Sequence, residues 1–86
     1  MSKILRSSHF ERAFVKLPES LIREVARREA IFRKNPFDPL LKTHKLKGEH
    51  RDLWSFSIAY RYRIVFRFLD DNMAYFIDVG DHSIYQ

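Results

Sequence analysis

The stretch Leu53-Trp54-Ser55-Phe56-Ser57-Ile58-Ala59-Tyr60-Arg61-Tyr62-Arg63-Ile64-Val65-Phe66-Arg67-Phe68-Leu69 decides the fold. From Leu53 to Ala59, Trp54, Phe56 and Ile58 alternate with Ser55, Ser57 and Ala59, the period of a half-buried strand. The next run alternates as well. Tyr62, Ile64, Phe66 and Phe68 share one face, and Arg61, Arg63, Val65 and Arg67 share the other. Two adjacent strands thus present one core face and one cationic face. Guanidinium groups two residues apart on a strand form a preorganised row of donors for phosphate or carboxylate. A solvated sheet face is the plain alternative, because antiparallel sheets often leave one side in water.

Working outward, Asp70-Asp71-Asn72 signals a turn. Met73 to Val79 then reads as a strand antiparallel to the preceding one, ended by Gly80. Its residues Tyr75, Ile77 and Val79 alternate with Ala74, Phe76 and Asp78, so both faces are largely apolar. Upstream, Lys42, His44, Lys45 and Lys47 cluster just before Gly48. This cluster reads as a basic rim beside the arginine face, or as lysines guarding a sheet edge. Trp54, Tyr60 and Tyr62 carry core parity and are expected to pack, whereas Tyr85 lies beyond the alternating strands.

The first 39 residues supply helices. Ile4-Leu5 suits an edge strand. Ser8 and Glu11 have capping-box spacing ahead of Phe10, Ala13, Phe14 and Leu17, an amphipathic helix with His9 exposed at its start. Pro18 is placed to be the first residue of a second helix. In that helix Leu21, Ile22, Val25 and Phe32 form the apolar face, and Arg23, Arg27, Arg28, Arg33 and Lys34 supply most of the polar surface. Asn35-Pro36 stops it, and Pro36 and Pro39 enforce an extended connection to the sheet. The expected architecture is α+β, two N-terminal antiparallel helices packed on one face of a small, mainly antiparallel sheet, in a single domain spanning residues 1–86.

Eighty-six residues hold one core. With 45% hydrophobic residues and eight Phe, the chain is globular rather than disordered. It has no Cys, which excludes a disulfide framework or a thiolate zinc site. His9, His44, His50 and His82 show no metal-binding spacing, so neither a metal nor another cofactor is expected. The N-terminus has no signal-peptide run and no segment reaches membrane-spanning length, which leads to the expectation of a soluble, cytoplasmic protein. Net charge is +5. Residues 1–48 carry 12 Lys and Arg against 5 Asp and Glu, and residues 49–86 carry 4 against 6. Such a basic excess suits nucleic acid, an acidic protein or anionic lipid.

A histidine at a strand end, with arginines on the neighbouring strand, fits phosphodiester chemistry. Cleavage of RNA by its own 2′-hydroxyl needs a base, a cation for the phosphorane and an acid for the leaving oxygen. Histidine serves either proton-transfer role near neutral pH, and arginine stabilises charge without giving up its proton. The sequence offers no paired carboxylates, Gly-rich phosphate loop or Ser or Cys nucleophile motif.

The succession Lys42-Thr43-His44-Lys45-Leu46-Lys47-Gly48, Leu53-Trp54-Ser55, Tyr62-Arg63-Ile64-Val65-Phe66 and Val79-Gly80-Asp81-His82-Ser83-Ile84-Tyr85 resembles the RelE/ParE toxin superfamily, most closely its RelE and YafQ side. The resemblance implies the toxin of a type II toxin–antitoxin system, neutralised in a hetero-oligomer by an acidic antitoxin. It further implies an mRNA endoribonuclease acting on ribosome-bound message. Carried over by position, His82 is the general acid or base, His44 assists proton transfer or holds substrate, Arg63 contacts phosphate and Tyr85 stacks on or orients the nucleotide. Lys45, Lys47, Arg61, Arg67, Ser55 and Ser57 are the expected RNA-binding residues beside them. The chain also departs from its models. RelE carries lysines where Ser55 and Ser57 stand here. The YafQ pattern has an acidic residue in the region of Tyr60-Arg61-Tyr62 and an arginine at the position of Asp78, a carboxylate that repels phosphate, orients His82 or is tied up structurally. A non-enzymatic binding protein of the same fold, such as a ParE-like gyrase inhibitor, is the alternative.

Overall fold

A computed structural model describes residues 1–48 and 52–81. The element order is β1 (Lys3–Arg6), α1 (Ser8–Val15), α2 (Glu19–Lys34), a 3-10 turn (Pro39–Leu41), β2 (His44–Lys45), β3 (Trp54–Ala59), β4 (Tyr62–Asp70) and β5 (Met73–Asp81). The five strands form one sheet in the order β1-β5-β4-β3-β2. β1 runs parallel to β5 and the other neighbours are antiparallel. This is the expected α+β architecture. Among the described residues no helix is long and apolar enough to cross a membrane.

Both helices pack on the face that alternation assigns to the core. Phe10 of α1, Val25 and Phe32 of α2, and Phe56, Ile58, Ile64, Phe66 and Phe76 of the sheet are fully enclosed. Phe32 is the centre of this layer. Its ring stacks on Phe56 at 4.9 Å between centroids and meets Phe66 and Phe76 edge-on at 5.1 and 5.5 Å. Such geometries match the positive edge of one ring to the negative face of another. Trp54 packs as its parity predicts, edge-on to Phe37 and Phe68.

Four details differ from the sequence reading. The cap of α1 is Ser7, one residue earlier than the Ser8 of the capping-box reading. Ser7 Oγ accepts from Phe10 N at 2.9 Å and donates to Ile77 O at 2.7 Å, and Ser7 N donates to Phe76 O. Those bonds to β5 select Ser7 over its neighbour. Pro18 is the residue preceding α2, not its first member, with an extended ψ of 150°. β5 continues through Gly80 to Asp81, because Gly80 still pairs with Arg63 and Asp81 with Tyr62.

The fourth difference changes which residues share a face. Ile64 pairs with Val79 and Phe66 with Phe76, leaving Ile77 as an extra residue on β5. A bulge of this kind breaks the two-residue period. Ala74, Phe76 and Val79 therefore all enter the core, whereas simple alternation put Val79 opposite Ala74 and Phe76. Asp78 shares the row of Val65, on the side of the sheet opposite to the core residues Ile64 and Phe66.

Candidate functional site

The site is built on that side, where Ser55 and Val65 are themselves buried. Register places His44, Ser55, Val65 and Asp78 in one row across β2, β3, β4 and β5, and Ser57, Arg63 and Gly80 in the next. Directly paired residues share a face, so His44, Ser57 and Arg63 lie on the same one. Strand spacing puts the Cα atoms of His44 and Arg63 about 12 Å apart, a span that two long side chains with a phosphodiester between them can fill.

His44 is held by its own loop. Leu41 is fully buried and Lys42 adopts a left-handed conformation, φ 52° and ψ 40°, which ends the 3-10 turn. The Lys42 carbonyl then lies 3.0 Å from His44 Nδ1. A carbonyl only accepts, so Nδ1 carries the proton in this bond. In the neutral ring the lone pair is left on Nε2, the arrangement a general base requires. Downstream, Leu46 is buried and its N–H bonds Leu53 O at 2.9 Å. Lys45 and Lys47 are exposed on either side of this anchor. Gly48 follows with φ +71°, a backbone conformation glycine adopts without strain.

Arg63 is half-buried between Ser57 and Gly80, and among the described residues its guanidinium has no ion pair or hydrogen bond. The other half-buried arginines among the described residues, Arg6 and Arg28, are each tied to a glutamate. A partly desolvated cation without a carboxylate is ready to take an external anion. Asp78 does not face it as a competitor. Its Oδ1 accepts from Val79 N at 2.8 Å and lies 3.1 Å from His9 Nε2. The carboxylate is thus tied up structurally, and His9, though largely exposed, is paired rather than merely solvated.

The remaining expected residues are not all brought together. Lys45 pairs with Trp54, which gives it the helix-side parity, opposite to His44. Arg67 is exposed and pairs with Tyr75, about 13 Å along β4 from Arg63. Ser55 is fully buried and its Oγ has no hydrogen-bond partner among the described residues, whereas Ser57 Oγ donates to Ala59 O at 3.4 Å. His82 and Tyr85 lie outside the described residues. Among the described residues no three His, Cys, Asp or Glu converge on a metal-sized site.

Two sequence expectations fail at the β3–β4 connection. Tyr60 is 90% exposed rather than packed. Arg61 belongs to the turn and not to the strand face, with φ 79° and its guanidinium over the Tyr60 ring at 5.9 Å. The aromatic parity of Trp54, Phe56 and Ile58 runs on through Tyr60 and Tyr62, so alternation does not mark the two-residue loop, the commonest hairpin connection. Arg28, expected on the polar face of α2, turns inward and donates from Nη1 to Leu40 O at 2.7 Å and weakly to Ser57 O at 3.4 Å. Its hydrogen bond to Glu24 holds that carboxyl below its ordinary value, against the opposing effect of burial and with help from Arg27.

No family model and no curated protein matches the chain at the level of sequence. Solved structures do match. The YoeB/ParE toxin from Agrobacterium tumefaciens aligns with a TM-score of 0.77 at 19% identity, covering 93% of this chain and 98% of that one. RelE in the archaeal RelE–RelB complex from Pyrococcus horikoshii aligns with a TM-score of 0.75 at 16% identity, covering 96% and 97%. YafQ in the Escherichia coli DinJ–YafQ toxin–antitoxin complex aligns with a TM-score of 0.73 at 17% identity, covering 95% and 93%. The chain has the fold of the RelE/ParE toxins over nearly its whole length.

Proposed function

We propose that this protein is the toxin of a type II toxin–antitoxin system and an endoribonuclease that cuts mRNA on the ribosome. The observation that carries the reading is the sheet face opposite the core, where Arg63 is half-buried with no carboxylate among the described residues and His44 lies one row away with Nδ1 on the Lys42 carbonyl. In the reaction a base takes the proton of a 2′-hydroxyl, whose oxygen attacks the adjacent phosphorus. The P–O5′ bond breaks, an acid protonates the leaving 5′-oxygen, and a 2′,3′-cyclic phosphate remains. Arg63 stabilises the negative charge that builds on the non-bridging oxygens. His44 through Nε2 and His82, two residues beyond Gly80 in sequence, divide the proton transfers. Tyr85 orients the nucleotide.

The partner is an acidic antitoxin. YafQ is seen in a toxin–antitoxin complex and RelE with RelB, and the basic excess in residues 1–48 suits an acidic chain here. Primer extension on mRNA incubated with translating ribosomes tests the enzyme reading, using purified wild-type and His82→Ala protein and a ribosome-free control. Ribosome-dependent cuts that disappear with His82→Ala are the expected result. A folded wild-type protein that makes no cut in any condition would reject the nuclease and favour binding alone, of gyrase or another target.

A further inference from the structure

We infer that the groove beside the β3–β4 turn is a subsite for one nucleotide of the RNA, its base stacked on Tyr60. The inference rests on the RNA-cleaving reading. β2 pairs only with Trp54 and Ser55, so the outer edge of β3 beyond them is left to the 3-10 turn. Between the two lies an open groove of about 400 Å³, lined by Arg28, Pro39, Leu40, Lys42, Ser57 and Tyr60 among others. This lies within the range of small-ligand clefts, roughly 300–1,000 Å³.

Its chemistry selects the occupant. Tyr60 and Leu40 are 90% and 62% exposed and offer apolar surface to the groove. Cations surround them. The Arg61 guanidinium lies over the Tyr60 ring, and Lys42 is exposed with no ion pair among the described residues. An exposed ring flanked by unpaired cations stacks a base while the charges hold its phosphate. A purely acidic peptide would use the cations and leave the ring idle.

The groove is also continuous with the catalytic face. Lys42 holds His44 Nδ1 through its carbonyl, and Ser57 is the cross-strand partner of Arg63. A chain whose phosphate lies at Arg63 and His44 therefore passes the groove with a neighbouring nucleotide. Arg28 keeps the wall in place through its bonds to Leu40 O and Ser57 O.

The test compares wild type, Tyr60→Ala and Tyr60→Phe. One measurement is anisotropy with a fluorescein-labelled 2′-O-methyl hexaribonucleotide, which lacks the attacking hydroxyl and is not cut. The other is ribosome-dependent cleavage at limiting protein. Tyr60→Ala should lose about tenfold, the scale of one base–aromatic stack, and Tyr60→Phe should match wild type. Polyglutamate peptide binding, measured in parallel, should change much less. Undiminished affinity and cleavage in Tyr60→Ala would overturn the subsite and leave the nuclease standing. Equal losses for the oligonucleotide and polyglutamate would overturn it too, since the groove would then read charge and not a base. If wild type neither binds the oligonucleotide nor cuts on ribosomes, the RNA reading itself fails and the subsite with it.

Discussion

On one side of the sheet Phe32 meets the rings of Phe56, Phe66, Phe68 and Phe76; on the other, Arg63 meets no acidic side chain among the described residues. The same strands build both faces. On the helix side each large side chain is enclosed by others of its kind, and burial is its own reward through area removed from water. On the other side a cation is held half-buried with no counter-charge among the described residues, an arrangement that adds nothing to folding. The contrast separates what keeps the molecule folded from what it presents to a partner, and substitutions on the two faces should therefore act on different measurements.

The largest effect belongs to the core. Phe32→Ala removes the ring on which α2 docks and should cost about 3–5 kcal/mol in urea unfolding, as aromatic truncations in packed cores do. In an 86-residue chain this approaches the whole stability. A loss below about 1 kcal/mol would mean that the layer repacks around the gap, and the two faces would be less distinct than their contacts suggest.

Arg63→Ala sharpens the comparison from the other side. Cleavage should fall by about 10²–10³, the effect of removing one donor to a developing oxyanion. Unfolding free energy should stay within about 0.5 kcal/mol of wild type, as for substitutions away from packed features. A large loss of folded yield would show Arg63 to be structural and erase the distinction.

How much of this was legible beforehand follows from the same contrast. The helix side was readable because burial imposes a period. Trp54, Phe56 and Ile58, then Tyr62, Ile64, Phe66 and Phe68, announce their face in sequence. The other side was readable for Ser57 and Arg63, which share that period, whereas His44 was read only as part of a basic rim beside it. Legibility failed where the period breaks. The extra residue at Ile77 turns Val79 inward, and the turn at Tyr60 and Arg61 removes both from the strand pattern. A bulge has no residue signature here. The turn lacks the Asn or Gly that usually marks a left-handed position. The pairing of Asp78 with His9 was equally hidden, since it joins β5 to the start of a helix far away in sequence.

Ser7→Ala probes the junction between α1 and that bulge. It removes the acceptor for Phe10 N and the donor to Ile77 O together. A loss of about 1–2 kcal/mol is expected by thermal or chemical denaturation, the upper part of the range for helix caps. Ser8→Ala should change stability by a few tenths of that, because Ser8 is inside the helix and has no capping bond. Equal effects at the two positions would return the cap to the capping-box reading.

The smallest expected effect is electrostatic and lies behind the open face. Glu24 holds Arg28, which in turn holds the 3-10 turn and the edge of β3. Its carboxyl is held below the ordinary 4.5 by the Arg28 hydrogen bond, with burial opposing and Arg27 assisting. A carboxyl with a lowered value in the folded state binds its proton more readily when unfolded, so its contribution is complete above about pH 4.5 and is lost as pH falls through the folded value. Comparing wild type with Glu24→Gln in urea from pH 7 down to pH 3 should give a difference below about 1 kcal/mol, constant to near pH 5 and shrinking below it, as expected of a partly solvated pair. A difference that does not change with pH would assign the role of Glu24 to hydrogen-bond geometry alone, since glutamine keeps an acceptor but not the charge. A widening gap on acidification would reverse the sign, and Arg28 would then owe its inward position to its two backbone acceptors rather than to its acid.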